Sequence, residues 1–241
     1  MSQLTALAHV YCESHLPPKE YQTMLSTMDL YFSRVQAFNF TGHKTPETFF
    51  YLNILDSLLP IFQEHIKIPD QGIIFDIGTG GGFPGVPVAI AKPNAQYYLV
   101  DSVEKKLKLI QEVKDKFQLQ HIHPMHQRFE MLGQNPKWRC KVDVVLAKAV
   151  AKWPTLLEYA LPLLNIGGTF YAYQSLAIKE ELQHNKKLLT RLGGEVRGVH
   201  EYILPDSLGE RCIVEIVKVA STPKEYPRNM GIPKAQPLHI G

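Results

Sequence analysis

The chain has 241 residues, of which 45% are hydrophobic and 20% charged. That size and balance suit one large α/β domain with a helical attachment. No apolar run reaches the ~20 residues needed to cross a bilayer, and Met1 to Val10 lack the basic-then-apolar order of a secretory leader. Cys12, Cys140 and Cys212 are odd in number and far apart, with no C-x-x-C pairing. A disulfide framework, a zinc site and a redox centre are therefore not expected, and the reducing cytoplasm is the expected compartment. The 26 Lys+Arg against 23 Asp+Glu give a net charge of +3, which permits a nucleic-acid partner without identifying one.

The N-terminal third reads as helical. After Pro17-Pro18, Tyr21, Met24, Leu25, Met28, Phe32 and Val35 recur in steps of three and four, the spacing of one helix face. A polar turn at Asn39 to Lys44 follows. Thr45-Pro46-Glu47 then has the form of an N-cap with proline at the first helical position. It opens a helix carrying Phe49, Leu52, Leu55, Leu58, Leu59 and Phe62, with a kink or stop expected near Pro60. From Ile73 the rhythm changes to short apolar runs. Ile73 to Ile77, bounded by Gly72 and Gly78, reads as a strand buried on both faces. Further strands are expected at Tyr97 to Asp101, Ile122 to His126, Val142 to Ala147 and Thr169 to Tyr173. Helices are expected between them at Val103 to Phe117, Trp153 to Leu164 and Ile178 to Leu192. This alternation predicts a parallel sheet covered by helices. Glu195 to Leu204 and Arg211 to Val219 are strand-like, and their short link suits an antiparallel pair. The organisation expected is an N-terminal helical cap over 1–66, an α/β domain over 67–220 and an extended, proline-rich basic tail over 221–241.

Gly78-Thr79-Gly80-Gly81-Gly82-Phe83-Pro84-Gly85 directly follows the first of these strands, where a backbone free of side chains can turn sharply and approach a ligand. Two ligand classes compete. Gly80-x-Gly82-x-x-Gly85 satisfies the dinucleotide fingerprint, with Asp101 further on. Against it, Asp76 with Gly78 and Gly80 forms Asp-x-Gly-x-Gly, and a carboxylate there suits a cationic amino group better than a pyrophosphate. The fingerprint also begins late after the strand, and no hydride-transfer acid–base set stands out downstream. These residues favour a methyltransferase over a dehydrogenase. Asp101 suits ribose hydroxyls in either fold.

Several separated motifs carry a closer likeness. Asn39-Phe40-Thr41, Asn53-Ile54-Leu55-Asp56-Ser57, the run Phe75 to Pro87, Asp101-Ser102 with Lys105-Lys106, Ala147 to Ala151, Gly209-Glu210-Arg211 and Tyr226-Pro227-Arg228-Asn229 with Gly231-Ile232-Pro233 occur in order. From about residue 20 onward the chain resembles the bacterial small-subunit rRNA methyltransferase family RsmG, also called GidB. The resemblance implies a class I S-adenosylmethionine-dependent fold, Rossmann-like, with a mostly parallel seven-stranded sheet whose last strand is antiparallel. It implies methylation of guanine N7 in 16S ribosomal RNA, at the base conventionally numbered 527, on free RNA or a small-subunit particle. No metal and no membrane partner are implied, and a monomer is expected. Cofactor contacts carried over by position are Gly78, Phe83, Phe129, Glu130 and Lys148, which join Asp76, Gly80 and Asp101 from the loop itself. Three positions depart from the family pattern: Lys148 stands where Arg is usual, Asn53 where His is common, and Tyr173-Gln174-Ser175 where Leu-Lys-Gly is expected. A methyltransferase retargeted to another RNA or a small molecule, or a non-enzymatic assembly factor, are the alternatives these departures raise.

Guanine N7 has a lone pair and no proton, so its methylation needs alignment and not a general base. No catalytic base is assigned. Lys148, Lys152, Trp153, Lys44 and Arg228 are the candidates for holding RNA phosphate or stacking on a base. His121 and His123 share one strand face and His126 the other, which suits solvent-facing histidines better than a metal site.

Overall fold

The computed structural model describes residues 3–38 and 45–239. The polar turn expected at Asn39 to Lys44, the Asn39-Phe40-Thr41 motif and Lys44 lie outside them.

Helices α1 (Gln3–Cys12) and α2 (Pro18–Phe38) open the chain. In α2 the predicted face buries Met24 and Met28, and Tyr31, outside the predicted set, is buried beside them. Thr45 caps α3 (Pro46–Phe49) as expected, its hydroxyl accepting from the Thr48 N–H at 3.2 Å. The helix then widens into a π-helical segment, Phe50–Leu55, and tightens again as α4 (Asp56–Phe62). Pro60 sits inside α4, which ends two residues after it. The stop expected near Pro60 is thus present, and the π-helical segment a turn and more earlier is an additional irregularity.

Among the described residues, seven strands form one sheet in the order β3-β2-β1-β4-β5-β7-β6. They are β1 (Ile73–Ile77), β2 (Gln96–Asp101), β3 (Ile122–His126), β4 (Val142–Lys148), β5 (Leu164–Gln174), β6 (Gly194–Ile203) and β7 (Glu210–Lys218). β1 to β5 pair in parallel, and β7 runs antiparallel to both of its neighbours. Helices α5 (Gly85–Ala91), α6 (Glu104–Phe117), α7 (Phe129–Gln134), α8 (Trp153–Ala160), α9 (Ile178–His184), α10 (Lys186–Arg191) and α11 (Ile232–Ala235) complete the fold.

Strand alternation sends side chains to two cores. Ile74, Leu99, Val144 and Leu146 pack on one face with Met24, Tyr31, Phe49 and Leu55 of the N-terminal helices. Phe75, Ile77, Val145 and Ala147 pack on the other with Trp153, Leu157 and Phe170. Because β2 and β3 lie to one side of β1 and β4 to the other, the chain reverses its progress across the sheet between β1 and β4. In open α/β sheets ligands bind beyond the carboxyl ends of the strands at that place.

Several ends shift by one residue, and three places differ by more. α8 stops at Ala160, not Leu164, because the chain enters β5 at Leu164. β5 is correspondingly longer than Thr169 to Tyr173; its first residues, interrupted by Gly167-Gly168, pair with β4 across a register shift. The helix expected from Ile178 to Leu192 breaks at Asn185, which caps the end of α9 and the start of α10.

Of the two places open to the proline-rich tail, packed over the domain or reaching a partner, the described residues take the first: the tail is strapped to the domain. Arg139 donates to the carbonyls of Gly133, Tyr226, Thr222 and Pro223 at 2.6–3.0 Å. Arg228 grips the fully buried Glu158 of α8 through its backbone N–H, Nε and Nη2. Thr155 donates to the Pro233 carbonyl at 2.8 Å, and α11 packs against α8.

Candidate functional site

The glycine loop turns at the end of β1. Gly78 has φ +74°, and a Cβ there would come within 2.7 Å of Val150, so this residue is required both for the turn and for close packing on the loop after β4. Gly85 starts α5 where a Cβ would come within 2.6 Å of the Asp76 carboxylate and 2.3 Å of Leu99. Its N–H donates to Asp76 Oδ2 at 2.9 Å. Asp76 Oδ1 is buried with no partner, as is Thr79 Oγ1. Burial, with a smaller push from the Asp101 charge, raises the Asp76 carboxyl to about 7, against the pull of the neighbouring Thr79 hydroxyl, the Gly85 N–H and the Lys148 ammonium toward the charged form.

Asp101 ends β2 and ties the two strand ends together. Its Oδ2 accepts from the Gly80 N–H at 3.0 Å and its Oδ1 from the Val103 N–H at 2.9 Å. The next residue, Ser102, lines a cavity of about 600 Å³ together with Phe129, Glu130, Val150, Thr155 and Tyr159. Phe129 and Glu130 open α7 just beyond β3. Phe129 lies 5.2 Å from the Tyr159 ring, and the buried Glu130 accepts from the Tyr159 hydroxyl at 3.3 Å and from the Gly231 N–H at 2.9 Å. Gly231, Lys234 and Ala235 of the strapped tail complete the cavity wall, and Arg128, Lys152 and Lys234 place three cations around it.

The eight candidate positions thus divide. Phe129 and Glu130 line the cavity. Gly80 and Asp101 bond each other, Asp76 bonds Gly85 and the Gly78 N–H bonds the Val100 carbonyl; this loop meets the cavity where Gly78 packs on Val150 and where Ser102 follows Asp101. Phe83 turns toward the N-terminal helices, with its ring 5.0 Å from Tyr31 and 6.1 Å from Phe49. Lys148 reaches the same helices: its ammonium pairs with Asp56 Oδ2 at 2.5 Å and donates to the Leu52 carbonyl at 2.7 Å.

The RNA-contact candidates divide as well. Lys152 is exposed at the cavity rim. Trp153 is buried and stacked on Phe170, so it is core and has no face free for a base. Arg228 spends its guanidinium on Glu158 and the Gln236 carbonyl, and is not free for phosphate. The strand histidines each find a protein neighbour: His121 the Ala89 carbonyl, His123 the Gln96 amide oxygen and the Tyr98 ring, His126 the Ser102 carbonyl. Among the described residues no group of three or more His, Cys, Asp or Glu is placed to hold a metal, and no helix is long and apolar enough to cross a membrane. Sequence reasoning missed Tyr159 and the tail wall. The Gly231-Ile232-Pro233 motif was the available signal for the wall.

The family GidB, described as rRNA small subunit methyltransferase G, matches residues 20–208. The chain is 35% identical over 221 residues to Ribosomal RNA small subunit methyltransferase G of Clostridium novyi, covering 91% of this chain and 90% of that one. It is 38% identical over 206 residues to the protein of the same name from Acetivibrio thermocellus, covering 84% and 82%. The solved structure of M. jannaschii TYW2 in complex with AdoMet shares the fold at a TM-score of 0.53 and 11% identity, over 68% of this chain and 77% of that one.

Proposed function

The chain belongs to the GidB family of small-subunit rRNA methyltransferases, and on that premise we propose that it methylates N7 of guanine 527 in 16S ribosomal RNA with S-adenosylmethionine as donor. The observation that carries this reading is the cavity beyond the carboxyl ends of the strands near the β1/β4 reversal, with Phe129 and Glu130 on its wall and Ser102, which follows Asp101, at its edge. When bound, S-adenosylmethionine supplies a methyl carbon on a sulfonium; the C–S bond breaks as the C–N7 bond forms, and no proton moves.

The residues present fit that donor. Asp76 Oδ1 has only the neighbouring Thr79 hydroxyl and no well-formed hydrogen bond, and a cationic amino group is the partner a buried carboxylate calls for. Asp101 holds the Gly80 N–H and stands at the strand end where ribose hydroxyls are received. Phe129 offers an apolar surface for a purine ring, and Glu130 keeps acceptor capacity beside it. Arg128, Lys152 and Lys234 around the mouth supply the positive field that RNA phosphate requires. What the chain contributes to the reaction is position and a fixed electrostatic setting, since N7 asks for no base.

The test is the modification itself. Small-subunit rRNA from cells lacking the gene should lose one borohydride–aniline cleavage site, restored by the wild-type gene and not by an Asp76→Asn copy. Persistence of that cleavage in the deletion strain would assign the enzyme to another acceptor.

A further inference from the structure

A second cavity, of about 230 Å³, lies beside the first and shares Val150 and Ala151 with it. Its other lining residues include Asp56, Lys148, Tyr173, Gln174, Tyr202 and Arg211. Asp56 is 4% exposed. Two anchors fix its carboxylate: Oδ2 pairs with the Lys148 ammonium at 2.5 Å, and Oδ1 accepts from the Tyr202 hydroxyl at 2.7 Å. Each oxygen keeps a free lone pair, because a carboxylate accepts about four hydrogen bonds in all. The carboxylate is thus held in one orientation at the cavity wall, with acceptor capacity unspent.

Two backbone irregularities flank this cavity. Ala149, between Lys148 and Val150, has φ +56°, a left-handed conformation that costs a non-glycine residue energy. Asp56 directly follows the π-helical segment Phe50–Leu55. Both kinds of irregularity concentrate where side chains must be re-aimed for function.

We propose that this cavity receives the acceptor base and that Asp56 selects guanine. The proposal rests on the methyltransferase reading above. Guanine carries N1–H and the N2 amino group side by side, two donors matched by the two oxygens of one carboxylate. Adenine presents a bare acceptor, N1, at the same place and is repelled. Guanine N7 lies on the opposite edge of the ring from N2. Seating the donor edge on Asp56 therefore leaves N7 at the mouth, toward Val150 and the neighbouring cavity. Arg211 donates to the carbonyls of Glu210 and Leu208 and keeps further N–H groups for the guanine O6. Lys148, in this arrangement, is a positioning residue that holds Asp56.

The experiment uses small-subunit rRNA assembled with either guanosine or inosine at position 527, the base the functional reading assigns. Inosine lacks only the N2 amino group. Wild type should favour guanosine by about tenfold in kcat/KM, the worth of one hydrogen bond to a charged group. In Asp56→Asn that preference should fall toward one, while S-adenosylmethionine affinity by calorimetry stays within about twofold. A purely structural tie between the N-terminal helices and the sheet would instead slow both RNAs alike and leave the preference intact, which overturns the proposal. Should Asp56→Asn fail to bind the donor, Tyr202→Phe loosens one anchor and supplies the same readout: the preference should shrink, and an unchanged preference overturns the proposal. A wild-type enzyme that methylates neither RNA defeats the functional reading itself.

Discussion

Glu158 and Asp76 are both buried carboxyls, 0% and 1% exposed, yet their surroundings are opposite in kind. Glu158 meets the backbone N–H, Nε and Nη2 of Arg228 and is left wanting nothing. Asp76 meets one N–H, has only the Thr79 hydroxyl beside its other oxygen and no cation in contact, and is pushed by burial to about 7. A buried charge that is fully paired fixes geometry. One that is half paired leaves a need that a ligand can meet. The strap of the tail and the glycine loop divide the molecule along that line.

The largest way to break the contrast is at the strap. Arg228→Ala leaves Glu158 buried without its cation and should cost about 3–5 kcal/mol in chemical denaturation. Donor affinity should fall with it, because Gly231, Lys234 and Ala235 hang from the same segment. An unchanged denaturation midpoint would show that the strap is not what holds the tail.

Asp76→Asn should do the reverse. Stability should change little, since the folded carboxyl already tends to hold a proton. Donor affinity measured by calorimetry should drop about tenfold to a hundredfold, the loss of a charged hydrogen bond. The pH dependence sharpens this further. Between the ordinary value of 3.8 and about 7, the folded protein binds a proton on Asp76 that the unfolded chain has released. This group's contribution to stability is therefore greatest below the ordinary value, declines as pH rises toward 7, and is level above. Donor affinity should run the other way, rising as pH passes through about 7, and Asp76→Asn should flatten that rise. A wild-type titration already flat over this range would remove Asp76 from donor binding.

The smallest effect belongs to Thr155→Val, which deletes the hydroxyl bonded to the Pro233 carbonyl. It should cost about 1 kcal/mol by denaturation. Losses in this variant and in Arg228→Ala should exceed simple addition or fall short of it, since both act on one strap.

Local signals carried much of this fold. β1 begins and ends where its apolar run does, because a strand buried on both faces has few other ways to be written. Thr45-Pro46 marked a helix start because capping chemistry sits within three residues. The end of α8 was not legible: Leu161, Leu163 and Leu164 continue an apolar run whether they face a helix neighbour or enter β5. At the site, Asp76, Asp101 and the glycines were visible as a strand-end motif. The Lys148–Asp56 pair and the Arg228–Glu158 grip were not, because each joins residues far apart in the chain, and an ion pair leaves no mark on local spacing. For the same reason Arg228 reads in sequence as a free cation for phosphate, when its charge is consumed inside the protein.

The strap also bears on how the enzyme comes into being during translation. All seven strands have been synthesised by Lys218, but the last wall of the donor cavity comes from residues 231–235. A nascent chain paused between those points would have a complete sheet and an open pocket. A premature stop just after Arg228 and before Gly231 should yield a polypeptide that keeps the partner of Glu158, assembles its core and retains the glycine loop, yet grips its methyl donor poorly. Such alleles would read as loss of modification without loss of protein.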